Sequence, residues 1–321
     1  MKTLLDILLL IVGFFLLIKG ADVFVDGASG IAKKLKIPSI VIGLTVVAFG
    51  TSLPEAAVSI AAALAGSNEI AVSNVIGSNI FNLLMVTGIS ALVGSIAVDK
   101  SVLKRDFPLA ILSAVLMFML AFDRIYKRNS TLTLSHIDGI IFLAFFVLFI
   151  IFNVRSALKY KASLADEEPD EKLKSVPMYI LFSLLGIAGI SIGGKLTVMS
   201  AQSIALTLHV SETLIGLTII AIGTSLPELV TSVVALKKNE SDIALGNVLG
   251  SNIFNVFFVL GVSAAIHPIN VDMLAIYDTI ILTVISIAMY LVFIKTKKTT
   301  KPFAISMLIT YIAYSAYIIL R

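Results

Sequence analysis

The sequence predicts an all-α membrane protein of ten transmembrane helices in two inverted five-helix repeats, with both termini extracellular. Three observations favour this fold: an apolar composition, an uneven distribution of basic residues and an internal repeat. Of the 321 residues, 58% are hydrophobic and only 14% are charged, too few to cover the surface of a water-soluble domain. Lipid is therefore predicted to be the main solvent of the chain.

The composition also excludes several kinds of site. Cysteine is absent, which excludes a disulfide framework, a thiolate metal site and a cysteine nucleophile. The net charge of +4 is small, and no arginine-rich patch indicates nucleic-acid binding. The apolar N-terminal segment has no small-x-small cleavage site before residues 19–22, so we predict a retained span. The sequence indicates no obligate protein partner.

The predicted spans follow from the length of the apolar segments. A hydrocarbon core about 30 Å thick needs roughly 20 apolar residues per helix. Ten segments have suitable length and are separated by charged or turn-forming residues. The predicted spans are 4–24, 40–64, 70–93, 107–122, 137–153, 178–200, 214–236, 243–266, 279–294 and 303–320.

The positions of lysine and arginine predict the orientation. Seventeen of the 24 basic residues fall in alternate loops, on the side that the positive-inside rule assigns to the cytoplasm. Both termini are then outside a cell membrane that the chain crosses many times. The charged segment 155–177, with Pro169 and Pro177, is predicted to be a cytoplasmic linker. It divides the chain into a first repeat, 1–154, and a second repeat, 178–321.

The internal repeat has a constant offset of 173 residues. Residues 43–99 recur at 216–272 without a gap, and about half of the roughly sixty positions are identical. Five spans separate each element from its copy, so the second copy is predicted to be upside down in the bilayer. Inverted repeats are a recurrent plan of secondary transporters, with the binding site where the repeats meet. Duplication retained for packing alone is the weaker alternative, because the identities are largely polar.

Two glutamates mark the predicted site. Glu55 and Glu228 lie in otherwise uncharged spans, where a carboxylate costs at least a few kcal/mol unless it binds something. Each follows a proline that cannot donate a hydrogen bond to the carbonyl four residues back. The helix is therefore expected to open at Gly-Thr-Ser-Leu-Pro and to free carbonyls around 48–51 and 221–224. Free carbonyls are tolerated at this depth only where they line a cavity or coordinate an ion.

The following span supplies further oxygen atoms. Asn74, Ser78 and Asn82 are four residues apart and share one helix face, as do their counterparts at 247, 251 and 255. Carboxylates, hydroxyls, amides and carbonyls suit Ca²⁺ or Na⁺, whereas the absence of cysteine and histidine argues against zinc, copper and iron. Two carboxylates neutralise one Ca²⁺, and Na⁺ ions or protons compete for them. The alternative is that these small and polar residues serve close helix packing.

Residues 50–55 and 77–82, with their copies at 223–228 and 250–255, resemble the α-repeats of the calcium/cation antiporter superfamily, specifically its prokaryotic sodium/calcium exchangers. The resemblance implies that Glu55 and Glu228 ligate both Ca²⁺ and Na⁺. It also implies carbonyl and hydroxyl ligands, which complete the predicted set together with the two amides. The predicted ligand residues are Glu55, Glu228, Thr51, Thr224, Ser78, Ser251, Ala48, Ala221, Asn82 and Asn255.

The resemblance implies an antiporter that exchanges Ca²⁺ for Na⁺ by alternating access and normally exports calcium. Potassium-dependent members carry aspartate where this chain has Asn255, so K⁺ co-transport is disfavoured. The alternative is a Ca²⁺/H⁺ antiporter that uses the same glutamates. No cofactor is predicted. An intramembrane enzyme is disfavoured because no hydrolase motif is present, and a channel because filters usually arise from several subunits.

Three charged residues fall near the ends of the helices that slide in this family. Asp22 and Asp26 occupy the positions that correspond, at the same offset, to Lys195 and Met199. We interpret these charges as groups that reach the membrane surface from helix ends, rather than as the lining of an ion vestibule.

Overall fold

The structure of the chain is a computed structural model that describes residues 2–66, 69–126, 132–163, 173–208 and 221–321. Two short strands accompany the helices, β1 Thr133–Leu134 and β2 Ile269–Asn270. The helices in these ranges are α1 Lys2–Leu35, α2 Ser39–Thr51, α3 Leu53–Leu64, α4 Ile70–Val93, α5 Lys100–Lys104, α6 Asp106–Tyr126, α7 His136–Ser163, α8 Val176–Thr207, α9 Ala221–Thr224, α10 Leu226–Lys237, α11 Ser241–Ile266, α12 Met273–Thr296 and α13 Lys301–Leu320.

The chain is a helical membrane protein. Eight helices in the described ranges are long and apolar enough to cross a membrane, and α2 with α3 forms a ninth, bent span. The predicted span 214–236 begins outside the described residues, so the count of ten stays a prediction. The predicted linker 155–177 stays a prediction, and its residues 155–163 are helical because α7 continues to Ser163. Residues 155–163 contain no glycine or proline, and nothing in them ends the helix.

Helices α4 and α11 form the centre of the molecule. Each has 78% of its most apolar window buried, against 28% for α1 and for α8. Both central helices contain a wider, π-type turn, at Asn82–Val86 and at Asn255–Leu260. These turns begin 173 residues apart and therefore obey the offset of the sequence repeat. Wider turns of this kind are frequent at functional sites in helices.

Helices α1 and α8 pack side by side through a seam of glycines. Gly13, Gly20 and Gly27 lie seven residues apart on one face of α1 and face Gly193, Gly189 and Ser183 of α8. A Cβ atom at Gly20 would lie 2.6 Å from the backbone nitrogen of Ile190. In lipid, small residues of this kind let two backbones approach closely and gain van der Waals contact.

Short extended segments join the loops in two places. Strand β1 pairs antiparallel with β2, with Thr133 opposite Asn270. A single bridge joins Ala97 to Lys298, supported by a hydrogen bond from the Val98 amide to the Lys297 carbonyl (2.9 Å). These two-residue strands lie in loops, and the chain remains a helical membrane protein as predicted. Extended loop segments pair with each other because buried backbone groups need hydrogen-bond partners.

The acidic residues near the end of α1 have a partner that the sequence did not indicate. Lys238, after α10, lies 2.8 Å from an Asp22 carboxylate oxygen and 2.7 Å from one of Asp26. The same turn also carries Glu240, which pairs with Lys33 (2.7 Å). Helix α1 runs past the predicted end of its span to reach these contacts. The aspartates thus join α1 to the loop between α10 and α11.

The glycine seam generates a matched pair of substitutions. We expect Gly193→Ala to destabilise the protein by about 1–3 kcal/mol, because its Cβ would meet the Leu17 nitrogen at 2.5 Å and the Gly13 carbonyl oxygen at 2.7 Å. At Gly194 the added Cβ would meet only side-chain atoms of Leu17 (3.5 Å) and Pro227 (3.7 Å), at ordinary van der Waals distance, and Gly194→Ala should be tolerated. Thermal unfolding of the two variants in detergent checks this, and equal melting temperatures would contradict the packing argument.

Candidate cation site

Two helix breaks shape the site. Helix α2 ends at Thr51, α3 begins at Leu53, and the two are bent by 51° at Ser52. Ser225, between α9 and α10, has nearly the same dihedral angles as Ser52 (φ −93°, ψ 5° against φ −85°, ψ 9°). The predicted opening at Gly-Thr-Ser-Leu-Pro is confirmed. A proline in the first turn of each following helix accounts for it, since that position needs no amide donor.

The Ala48 carbonyl is only partly released by the break, and its role as a ligand stays a prediction, because a carbonyl oxygen has a second lone pair. Its oxygen accepts a hydrogen bond from the Ser52 amide (3.0 Å), because the last turn of α2 is still intact. In the other copy the Ser225 amide donates to Ile222, three residues back, at 3.1 Å. Ala221 begins α9, and its side chain lies outside the described residues.

Both glutamates are completely buried, with 0% of their surface exposed. The Glu55 Oε1 atom accepts hydrogen bonds from Ser225 Oγ (3.0 Å) and Ser78 Oγ (3.4 Å). The Glu228 Oε1 atom accepts one from Ser52 Oγ (2.8 Å). Each carboxylate is therefore held by a serine from the other copy of the repeat.

Several buried oxygen atoms of the predicted site have no hydrogen-bond partner. Twelve buried side-chain oxygens in the described residues lack a partner, and six of them belong to predicted ligands. Buried acceptors without partners are rare and costly, so six in one predicted set need an explanation. These six atoms are Glu55 Oε2, Glu228 Oε2, Asn82 Oδ1, Asn255 Oδ1, Thr224 Oγ1 and Ser251 Oγ.

Apart from the glutamates, the predicted ligands are neutral. The described residues contain no group of three or more His, Cys, Asp or Glu side chains that could hold a metal. A cation here would meet two carboxylates and a larger number of hydroxyl, amide and carbonyl oxygens. This donor set fits hard cations such as Ca²⁺ and Na⁺.

Asn74 and Asn247 donate hydrogen bonds to the backbone carbonyls of the two glutamates. Asn247 Nδ2 donates to the Glu228 carbonyl (3.2 Å) and to Ser232 Oγ (3.0 Å). Asn74 makes the same two bonds to Glu55 and Ser59, at 3.3 and 3.0 Å. These bonds fix each glutamate backbone to the neighbouring helix.

The two halves differ at the threonines. Thr51 Oγ1 donates to Asn247 Oδ1 (2.9 Å), so its hydrogen is engaged while its oxygen still has lone pairs for a cation. The hydroxyl of Thr224, its counterpart, has no partner. The site therefore combines a repeated sequence with unequal contacts.

Four buried asparagines connect α4 with α11. Asn79 Nδ2 donates to the Asn252 carbonyl, and Asn252 Nδ2 donates to the Asn79 carbonyl, both at 3.2 Å. Asn82 Nδ2 donates to Asn252 Oδ1 (3.2 Å), and Asn255 Nδ2 donates to Asn79 Oδ1 (3.1 Å). The two copies thus contact each other through reciprocal bonds between identical residues.

The sequence interpretation missed several residues of this site. It assigned no role to the cross-copy serines, to the inner asparagines or to the serines behind the glutamates. Identity between the copies at the 173-residue offset was the signal that could have found them. The missed residues are Ser52, Ser225, Asn79, Asn252, Ser59 and Ser232.

Comparison with known proteins identifies the family. The family model described as "Sodium/calcium exchanger protein" matches residues 5–155 and 178–320. The chain belongs to the sodium/calcium exchanger family. Its place among the prokaryotic exchangers of the calcium/cation antiporter superfamily, which the repeated motifs predicted, is confirmed. The exchanger family is one of transporters, and the two matched regions leave out residues 156–177, which include the end of α7 and the start of α8.

Several exchanger relatives cover most of the chain. The sodium/calcium exchanger MaX1 of Methanosarcina acetivorans is 36% identical over 321 residues, 91% of each protein. The putative antiporter CaxA of Alkalimonas amylolytica is 42% identical over 272 residues, 82% of this chain and 81% of that protein. The sodium-calcium exchanger NCX_Mj, soaked with 10 mM Na⁺ and zero Ca²⁺, superposes with a TM-score of 0.84 at 32% identity, over 98% of this chain and 99% of that one.

The support behind the glutamates can be tested by substitution. We expect Asn247→Leu to destabilise this exchanger by about 2–4 kcal/mol, because it removes an acceptor from Thr51 and two donor bonds around Glu228. Asn153→Leu is the matched control, since the buried amide of Asn153 donates only to Phe149 of its own helix (2.9 Å). Thermal unfolding in detergent gives the comparison. A loss as large in the control would show that any buried asparagine has this effect.

Proposed function

We propose that this exchanger is a secondary active antiporter that exchanges Ca²⁺ for Na⁺ across the cell membrane by alternating access and normally exports calcium. The observation that carries the proposal is that six of the predicted ligands, two fully buried glutamates among them, each have a buried side-chain oxygen without a partner. Membership in the sodium/calcium exchanger family supports cation antiport. The names of relatives such as MaX1 and NCX_Mj support calcium and sodium as the transported ions.

The proposed ligands are the residues that the sequence predicted. Glu55 and Glu228 supply the two formal charges, and hydroxyl, amide and backbone oxygens complete the shell. Calcium accepts six to eight oxygens in flexible geometry, which this donor set offers. With Asn255 in place of an aspartate, the site has no third carboxylate, and K⁺ co-transport is not part of the proposal. The neutral members of the proposed site are Thr51, Thr224, Ser78, Ser251, Ala48, Ala221, Asn82 and Asn255.

The electrostatics of two buried carboxylates support exchange of one ion for another. Two ionised carboxylates in a buried place lose their hydration and repel each other. Their free energy is lowered by one Ca²⁺, by Na⁺ ions or by protons. If the site switches its access from one side of the membrane to the other only when it is neutralised, it must bind a second cation before it switches back. Competition for Glu55 and Glu228 therefore couples the two ion flows.

Inverted repeats, residues 1–154 and 178–321 around a cytoplasmic linker, form part of the proposal. Reciprocal bonds between Asn79 and Asn252 support a twofold relation between the copies. The loop pairs support the inversion. Ala97 and Asn270 are counterparts at the 173-residue offset, yet each pairs with a different loop, at Lys298 and at Thr133. The basic residues place the first pair in the cytoplasm and the second outside, as inversion requires.

Ion exchange gives the direct test. In proteoliposomes that contain the purified chain, we expect an imposed Na⁺ gradient at constant pH to drive ⁴⁵Ca²⁺ uptake. Glu55→Gln and Glu228→Gln should abolish the uptake, because each removes one of the two charges that balance Ca²⁺. Glu240→Gln, at the turn after α10, is the matched control and should retain it, since Glu240 bonds Lys33 and Ser29 and lies outside the site.

The other candidate functions give different results in the same vesicles. Calcium uptake that needs a pH gradient and ignores sodium would replace the proposal with Ca²⁺/H⁺ antiport by the same glutamates. Single-channel currents would indicate a channel. Uptake at the wild-type rate by either glutamine variant would show that the glutamates do not hold the transported ion.

Orientation can be tested because the chain has no cysteine of its own. Single cysteines introduced by Asn270→Cys and Lys298→Cys stand at exposed positions in the two loop pairs. In intact cells, a membrane-impermeant maleimide should label the first and not the second, while both should react after permeabilisation. Labelling of both in intact cells, or of Lys298→Cys alone, would contradict the proposed inverted topology.

A further inference from the structure

The four asparagines between α4 and α11 form two chains of hydrogen bonds with a fixed direction. Each chain starts at a backbone carbonyl, which only accepts. The Asn252 carbonyl accepts from Asn79 Nδ2, so the Asn79 side chain must turn its Oδ1 atom the other way. That oxygen accepts from Asn255 Nδ2 at 3.1 Å. The Asn255 oxygen is therefore the end of the amide that remains without a partner.

The second chain repeats this arrangement in the opposite sense. The Asn79 carbonyl accepts from Asn252 Nδ2, and Asn252 Oδ1 accepts from Asn82 Nδ2 at 3.2 Å. The oxygen of Asn82 is again buried and without a partner. Each inner asparagine thus sets the orientation of an amide that belongs to the other copy.

We propose that Asn79 and Asn252 are positioning residues that turn the amide oxygens of Asn255 and Asn82 towards the cation. This inference rests on the proposed function. A carboxamide has two ends of nearly equal size, and only the oxygen end ligates a cation, whereas the NH₂ group is a donor with the wrong polarity. Without a fixed acceptor behind it, the amide is free to present either end. Asn79 and Asn252 remove that choice without touching the ion.

A packing role predicts a different response to substitution. The same bonds also hold α4 to α11, so loss of stability alone cannot separate orientation from cohesion. Aspartate separates them, because a carboxylate presents an oxygen whichever way it turns. In an Asn255→Asp background the orientation set by Asn79 has no further use, whereas any packing contribution of Asn79 persists.

The experiment is a double-variant cycle with Ca²⁺ binding to the purified, detergent-solubilised chain, measured by calorimetry. We expect Asn79→Ala to weaken Ca²⁺ binding by about tenfold or more, the effect of losing one ordered oxygen ligand to a charged group. In the Asn255→Asp background the same substitution should weaken binding by no more than about twofold. The crossed control, Asn79→Ala in an Asn82→Asp background, should keep the full loss, because Asn79 does not bond Asn82.

Melting temperatures provide the readout for cohesion. Asn79→Ala should lower the melting temperature in all three backgrounds, since the bond to the Asn252 carbonyl is lost each time, and by less in the Asn255→Asp background, where residue 255 no longer donates to Asn79 Oδ1. Should Asn79→Ala prevent folding, the mirror pair Asn252→Ala and Asn82→Asp makes the same test in the other copy.

The outcomes separate this inference from the proposed function. Undiminished binding by Asn79→Ala, or a tenfold loss that survives in the Asn255→Asp background, overturns the positioning role while Ca²⁺ binding by the wild type stands. Absence of Ca²⁺ binding by the wild type overturns the proposed function and the positioning role together. Rescue in the crossed control as well would point to a general effect of added charge and would also reject the assignment.

Discussion

Two fully buried carboxylates are the constraint on which the rest of the structure depends. Glu55 and Glu228 are fully buried, and each keeps one oxygen without a hydrogen-bond partner. A buried charge of this kind is tolerated only with a counter-charge or with strong local dipoles. The polar groups packed around the pair are therefore necessary to hold the carboxylates in place until a cation arrives. Hydroxyls and amides do this without a competing positive charge.

The helix breaks and the pairing of the copies follow from the same constraint. A straight helix would leave the carbonyls near Glu55 fully engaged, whereas a proline in the first turn of α3 bends the chain at Ser52. The bend brings the Ser52 hydroxyl to Glu228, and its counterpart brings Ser225 to Glu55. Neither half alone supplies all the hydrogen-bond donors that its own glutamate uses. These contacts form only where the two copies meet, so the chain must pack its two copies together to form the site.

Local sequence predicted the groups of this site but not their partners. Composition and spacing identified the two glutamates, the break before Pro54 and the face that carries Ser78, because these depend on nearby residues. The bond from Ser52 to Glu228 joins positions 176 residues apart. The spacing of residues along a helix predicts only contacts within that helix, so it could not predict this pair. The pairing of Asp22 with Lys238 was missed for the same reason. Identity between the copies is a stronger guide to such partners than residue type.

The unequal contacts of the copies bear on how an exchanger could work. Thr51 bonds Asn247, whereas Thr224 has no partner, although both threonines lie in an identical Gly-Thr-Ser-Leu-Pro-Glu segment. Equal sequences make the mirrored arrangement, in which Thr224 donates to Asn74, similar in free energy. When two states have similar free energies, a bound ion needs only a small difference in affinity between them to shift the population from one state to the other. In the proposed inverted topology, a repeated site of this kind would offer similar ligands to a cation from either side, which the proposed alternating access requires.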